Sequence, residues 1–191
     1  VPALAHVRIE GEGVAGERGT FSFRVPNERD DASTIMLEVQ FPEDHPLASV
    51  SVQTKPGWTI EVAMRTLDEP IVLPGDEATE VTEVVDTITW SGGIIGPGEF
   101  DVFTVRGGPF PEGVEQLVFP ALQTYDNGEV VSWIEEDPEA EFPAPVLPLA
   151  PAAEEEVSEE PSEAVSEEPS ETVSEEPSEE PTEEPTEQPS G

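Results

Sequence analysis

Apolar and polar residues alternate along most of the first 150 residues, which is the pattern of half-buried β-strands. Phe21, Phe23 and Val25 alternate with polar neighbours, and the period of two returns in segments 35–41, 50–52, 58–64, 88–90, 100–104, 117–122 and 130–134. Turn-forming Pro, Gly and Asn residues separate these segments. The pattern therefore predicts eight or nine strands and no helix longer than one or two turns.

Short strands at this spacing predict an all-β fold, an immunoglobulin-like antiparallel β-sandwich. Asn127 and Gly128 stand between predicted strands 122–125 and 129–133, and this dipeptide is a strong signal for a two-residue hairpin loop. Residues 142–149 (Phe-Pro-Ala-Pro-Val-Leu-Pro-Leu) are predicted to end the domain as an edge strand, because proline cannot donate to a central ladder.

The composition changes at about residue 150. Residues 151–191 contain 16 glutamates and no Asp, Lys or Arg, and a unit beginning Val-Ser-Glu-Glu-Pro-Ser-Glu repeats every eight residues from Val157. Like charges and prolines without apolar residues cannot offset the entropy of ordering a chain. We expect residues 151–191 to be a disordered Glu/Pro/Ser-rich linker, or acidic tail.

The chain carries 44 acidic and 7 basic residues, a net charge of −37. Removing the tail's 16 glutamates leaves 28 acidic and all 7 basic residues in 1–150, a net charge of −21. This sign argues against nucleic acid and anionic membrane as partners. The absence of cysteine excludes disulfides and thiolate metal sites, and no apolar run is long enough to span a membrane.

The amino terminus carries the first chemical signal. Ala3-Leu4-Ala5 has the small-x-small form of a signal-peptidase site, so we expect residues 1–5 to be the residual end of a signal peptide. Cleavage there would make His6 the first residue of an exported protein. A terminal histidine chelates one ion through its α-amine and ring Nδ1, and nitrogen donors favour Cu(II). The alternative is that His6 only begins a strand, residues 6–10.

The ordered set of segments from His6 to about Leu149 resembles the YcnI family of exported bacterial copper-binding proteins. The segments that carry the resemblance are 23–34, 44–46, 48–52, 56–59, 87–93, 97–100, 117–125 and 126–134. The resemblance implies that residues 6–150 form a β-sandwich that binds Cu(II) through a histidine brace with one histidine, completed by a carboxylate and a tryptophan. It assigns these roles to His6, Glu28 in Val-Pro-Asn-Glu, and Trp133 in Gly-Glu-Val-Val-Ser-Trp.

Each assignment has a structural alternative. Glu28 could be a solvated turn charge, with Asp30 or Asp31 as substitutes if the register differs. Trp133 could be a core aromatic residue, and we expect Trp58 and Trp90 to pack in the core or in a turn. His45 lies between Asp44 and Pro46 in a predicted turn and is expected at the surface.

The sequence thus predicts an exported copper(II)-binding protein that captures or hands on copper at the bacterial cell envelope. Its expected partners are the copper ion and other envelope copper-trafficking proteins, with membrane association only through a segment absent from this chain. We expect no enzymatic activity, because two histidines and no phosphate-binding glycine loop leave no recognisable catalytic set. The alternative is a metal-free immunoglobulin-like surface binding domain on an acidic stalk.

Overall fold

The computed structural model of the protein describes residues 6–73 and 76–152. These residues form twelve strands: β1 Arg8–Glu10, β2 Gly13–Val14, β3 Gly19–Pro26, β4 Thr34–Gln40, β5 Ser49–Val52, β6 Thr59–Leu73, β7 Asp76–Ile95, β8 Phe100–Gly108, β9 Gln116–Val118, β10 Ala121–Tyr125, β11 Val130–Trp133 and β12 Val146–Ala150. Within the same ranges there is no helix with the length and hydrophobicity to cross a bilayer.

The strands form two main sheets and one small sheet. One main sheet has four strands in the order β1-β3-β8-β5, and the other has five in the order β11-β10-β4-β7-β6. A three-stranded sheet, β2-β12-β9, contains the one parallel pairing among the named strands of the described residues, β2 with β12. This architecture confirms the predicted all-β sandwich.

The core is formed by the inward-facing residues of the alternating strands. Phe23 and Phe103, on neighbouring strands of the four-stranded sheet, both pack against Trp90 of the five-stranded sheet, with ring centroids 6.2 and 5.3 Å apart. All three side chains are at most 1 % exposed. Burial of such large aromatic side chains is the main source of stability in a domain without disulfides. Trp90 is therefore a core residue, as expected.

The hairpin predicted at Asn127 is confirmed, but its loop is longer than two residues. Strands β10 and β11 are antiparallel with Ala121 opposite Trp133, and Gly128 donates its N–H to the Tyr125 carbonyl at 3.0 Å. Gly128 has a φ of +86°, which closes this turn at its fourth position. Four residues, 126–129, therefore connect the two strands.

The prediction that the last strand lies at a sheet edge is wrong. Strand β12 contains Pro148 but is the central strand of its three-stranded sheet, paired with β9 on one side and β2 on the other. The β2 pairing involves only Leu149 and Ala150, so Pro148 lies outside it. Because β2 pairs with only the last two residues of β12, a proline before them is tolerated in this central strand.

The disordered acidic tail predicted for residues 151–191 lies outside the described residues, except for Pro151 and Ala152. The predicted signal-peptide end, residues 1–5, also lies outside them. Both therefore stay predictions.

Candidate metal centre

His6 is held in place by the strand that follows it. Its neighbour Val7 is 2 % exposed and belongs to the core, and β1 pairs with β3 through Arg8 opposite Arg24. The His6 side chain is half-buried. The start of the described chain is thus fixed by burial of the next residue, which leaves the His6 ring at a cavity.

Glu28 lies in a loop that a buried asparagine anchors. Asn27 is 1 % exposed and donates its side-chain N–H groups to the carbonyls of Ala32 and Ile95, at 2.8 and 2.9 Å. Its Oδ1 accepts the Arg29 backbone N–H at 2.9 Å, an Asx turn. Glu28, between the two, is exposed, and no carboxylate ion pair or side-chain hydrogen bond engages it within the described residues.

Trp133 is 5 % exposed, and its indole N–H already has a hydrogen-bond acceptor. Its Nε1–H donates to Gln123 Oε1 at 3.1 Å. Gln123 is 0 % exposed and donates to the Pro26 carbonyl at 3.0 Å and to Thr34 Oγ1 at 2.7 Å. This buried amide therefore connects the tryptophan to the end of β3, the strand that leads into Glu28.

The His6 and Trp133 rings meet edge to face. Their centroids are 5.6 Å apart with an interplanar angle of 62°. On another side Trp133 contacts Phe142, with centroids 5.6 Å apart at 71°. The loop that carries Phe142 is fixed by its backbone N–H, which donates to Glu135 Oε2 at 2.7 Å. Trp133 is therefore both a core residue and a wall beside the histidine.

The structure brings His6, Glu28 and Trp133 together on one cavity of about 270 Å³. The three residues come from three separate parts of the sequence, so the fold alone creates their proximity. The remaining lining residues are Pro26, Arg29, Tyr125, Val131, Glu141 and Phe142. The alternatives Asp30, Asp31 and His45 do not line this cavity; His45 is exposed and lines a separate one beside Asp44.

Arg29 brings a positive charge to the cavity, and that charge is countered. Its guanidinium forms an ion pair with Glu129 and lies over the Tyr125 ring, 5.5 Å from the centroid. Burial raises the pKa of Tyr125, against the opposing effects of a hydrogen bond with Thr34 and the nearby Arg29 charge. Tyr125 is therefore a neutral phenol at physiological pH, and Arg29 acts there with its charge paired to Glu129.

Glu141 is a second carboxylate on the cavity, and the sequence did not single it out. It is exposed, and acidic residues are so frequent in this chain that no single one carries a signal. In the described part of the chain, no three His, Asp or Glu side chains come together in a group that could hold a metal ion by themselves. A metal held at His6 would therefore need a donor besides the described His, Asp and Glu side chains.

Comparison with known proteins gives a family and a fold. The family described as "Domain of unknown function (DUF1775)" matches residues 6–149, more than half of the chain. A crystal structure of an uncharacterized protein from Nocardia farcinica, described as immunoglobulin-like, is 31 % identical with a TM-score of 0.57. It is matched over 76 % of this chain and 99 % of that chain. The predicted immunoglobulin-like fold is thereby confirmed.

A cohesin module from a Clostridium perfringens family 33 glycoside hydrolase is also similar, at 10 % identity. It is matched over 76 % of this chain and 94 % of that chain, with a TM-score of 0.42. No curated protein sequence matches the chain significantly.

Proposed function

The chain belongs to the DUF1775 family, and from that premise we propose that it is an exported, YcnI-like protein that binds Cu(II) through His6 and captures or hands on copper at the cell envelope. The proposed role is binding and transfer, not catalysis. One observation carries the proposal: His6, Glu28 and Trp133 line the same cavity although the sequence separates them widely.

The number of donors decides how His6 must act. His6 and Glu28 supply one imidazole and one carboxylate, fewer than the three side chains of a conventional site. The missing donor in the proposal is the α-amine of His6, which exists only if the chain is cleaved after Ala5. An α-amine loses its proton far more readily than a lysine amine, and two nitrogen donors with a carboxylate favour Cu(II) among divalent ions.

In this proposal Trp133 does not coordinate through nitrogen, because its N–H is donated to Gln123. It presents its ring to His6 instead. An aromatic wall of this kind fixes the imidazole orientation and keeps water from one side of the ion. Glu28 is the carboxylate donor, and the ion pair of Arg29 with Glu129 reduces the repulsion that a free guanidinium would exert on a cation.

The test compares protein that starts at His6 with protein that starts at Val1. We expect tight Cu(II) binding and a nitrogen-rich electron paramagnetic resonance spectrum only when the His6 amine is free. The His6→Ala variant of the shorter protein separates the imidazole from the amine, and His45→Ala is its control. Equal tight affinity and identical spectra for the two starting points would overturn the proposal.

The metal-free alternative, an immunoglobulin-like binding domain, has a structural observation in its favour. Ile94 and Phe100 are 71 % and 55 % exposed and line one shallow cavity, as the side chains of a protein-binding surface would be. The same experiment discriminates the two functions. If neither starting point binds Cu(II) tightly, the binding-domain function becomes the better one.

A further inference from the structure

Two arginines and two serines meet on the outer face of the four-stranded sheet. Arg106 on β8 is opposite Ser51 on β5, and Ser49 shares the face of Ser51 because strand residues two apart point the same way. Arg106 is exposed whereas its neighbours Val105 and Gly107 are buried, which identifies the outer face. With Arg18, these residues line a cavity of about 180 Å³.

A glycine on β8 allows Arg18 to lie close to β5 and β8. Gly108 lies opposite Ser49, and a Cβ on it would be 2.8 Å from the Arg18 Cα and 3.1 Å from its Cγ. Any side chain at position 108 would displace Arg18. The closeness of the two backbones therefore places a second guanidinium beside Arg106, although Arg18 precedes β3 and lies 88 positions away in the sequence.

The charge pattern makes this pair unusual. Of the seven basic residues, four form ion pairs with carboxylates: Arg24, Arg29, Lys55 and Arg65. Among the described residues, no carboxylate lies within ion-pair distance of the other three, and two of those three line this one cavity. Acidic side chains outnumber basic ones four to one in residues 1–150, yet none of those that the structure describes lines the cavity.

We infer that Arg18, Arg106, Ser49 and Ser51 form an oxyanion site that takes a phosphate group. A guanidinium offers two parallel N–H donors that match two phosphate oxygens, and a serine hydroxyl adds a further donor. The surrounding net charge repels anions, so a bound phosphate is held by local donors and not by the field of the molecule. The phosphate belongs to a free phosphate compound or to a lipid headgroup.

The site is tested with inorganic phosphate and the full chain. Sodium phosphate is titrated against sodium chloride at equal ionic strength, and backbone amides are followed by ¹⁵N NMR. We expect saturable shifts centred on Arg18, Ser49, Ser51 and Arg106. Arg106→Gln should weaken binding about tenfold or more, the loss of one charge-assisted hydrogen bond, and Arg18→Gln should do the same.

Arg8→Gln is the matched control, because Arg8 is exposed, is not ion-paired within the described residues and carries the same charge. It should leave phosphate affinity unchanged, and Ser51→Ala should weaken it without any change in net charge. Chemical-shift changes that never saturate, or an equal loss of phosphate affinity in Arg8→Gln, would show that only non-specific attraction is present. Either result would overturn the proposed site.

A vesicle experiment then identifies the source of the phosphate. Flotation with phosphatidylglycerol vesicles is compared with phosphatidylcholine vesicles, for the full chain and for Arg106→Gln. Binding to phosphatidylglycerol that Arg106→Gln abolishes assigns the phosphate to a lipid headgroup. Saturable inorganic phosphate binding without vesicle binding assigns it to a free compound. Copper affinity does not enter either result, so this inference and the copper proposal can fail separately.

Discussion

At the residue scale, one buried amide organises the wall of the candidate metal cavity. Gln123 is 0 % exposed, and its side chain bonds to Trp133, the Pro26 carbonyl and Thr34. A buried amide that uses both its oxygen and its nitrogen is stabilising only while all partners are present. Gln123 is therefore a positioning residue for Trp133 and for the end of β3.

Gln123→Ala leaves the Trp133 N–H and the Pro26 carbonyl without this partner in the core. We expect the free energy of unfolding to fall by about 2–4 kcal/mol, measured by urea denaturation, and the tryptophan fluorescence to change in the folded state. The control is Gln53→Ala at an exposed position, expected to change stability by about 0.5 kcal/mol or less. Equal stability of the two variants would contradict the positioning role.

Glu28→Gln keeps the shape of the side chain and removes its charge. In protein that starts at His6, we expect Cu(II) affinity to fall at least about tenfold, since even residues that only support a metal ligand are worth about 10–100-fold. Isothermal titration with a competing chelator measures it. Asp31→Asn is the control, because Asp31 is exposed and outside the cavity. If Glu141→Gln lowers affinity and Glu28→Gln does not, the carboxylate donor is Glu141.

Tyr125 is the one tyrosine of the chain, so the near-ultraviolet absorbance of phenolate reports on it alone. Burial raises its pKa above the usual value, with Arg29 opposing. Because the folded pKa exceeds the unfolded one, this residue's contribution to stability is full below about pH 10 and is lost as the pH rises through the folded pKa. We expect a higher titration midpoint in native protein than in urea; equal midpoints would contradict burial as the cause.

The lining of the candidate metal cavity was only partly predictable from sequence. His6, Glu28 and Trp133 could be named because they lie in segments that resemble a family, and the structure places all three on one cavity. Gln123 was missed because a polar residue in a strand suggests the solvent face. The signal was its place in the alternation: Gln123 shares the inward face of β10 with Ala121 and Tyr125.

At the element scale, the longest hairpin extends beyond the sandwich. Strand β4 pairs with β7 only from Thr87 to Ile95, so the residues of β7 before Thr87 have β6 as their strand partner in the described sheets. Met64 and Val72, on the part of β6 beyond the β4 pairing, are 53 % and 50 % exposed. Alternation predicted this strand only as far as residue 64, whereas β6 continues to Leu73 and pairs there with β7 alone among the described strands.

An isolated two-stranded ribbon is marginally stable in water. We therefore expect amides of residues 66–72 and 79–83 to exchange with solvent much faster than those of β3 and β8, which pair along their whole length. Native-state hydrogen exchange measures this, with Glu38 to Gln40 of β4, a strand paired on both sides, as the internal reference. Protection of the ribbon equal to that of β3 would show that a partner or a second copy covers it.

At the scale of the whole molecule, two electrostatic effects on stability oppose each other: attraction within ion pairs and repulsion among the excess acidic residues. Residues 1–150 carry a charge of −21, and four ion pairs are present among the described residues. Exposed ion pairs contribute about 0–1 kcal/mol each and weaken with salt. Self-repulsion of an excess of like charges destabilises the folded state and is also screened by salt, with a Debye length of about 8 Å at physiological ionic strength.

The two effects predict opposite responses to sodium chloride, and repulsion should win because unpaired carboxylates far outnumber ion pairs. We expect the melting temperature to rise from low to moderate sodium chloride concentration, measured by calorimetry. Replacing exposed acidic residues outside the ion pairs, such as Glu61, Glu80 and Glu139, by glutamine should reduce this rise. The controls Glu10→Gln and Asp86→Asn each remove an ion-pair partner. They should not reduce the rise in melting temperature in the same way. A melting temperature that falls with salt would mean that the ion pairs, and not the excess charge, set the electrostatic stability of the domain.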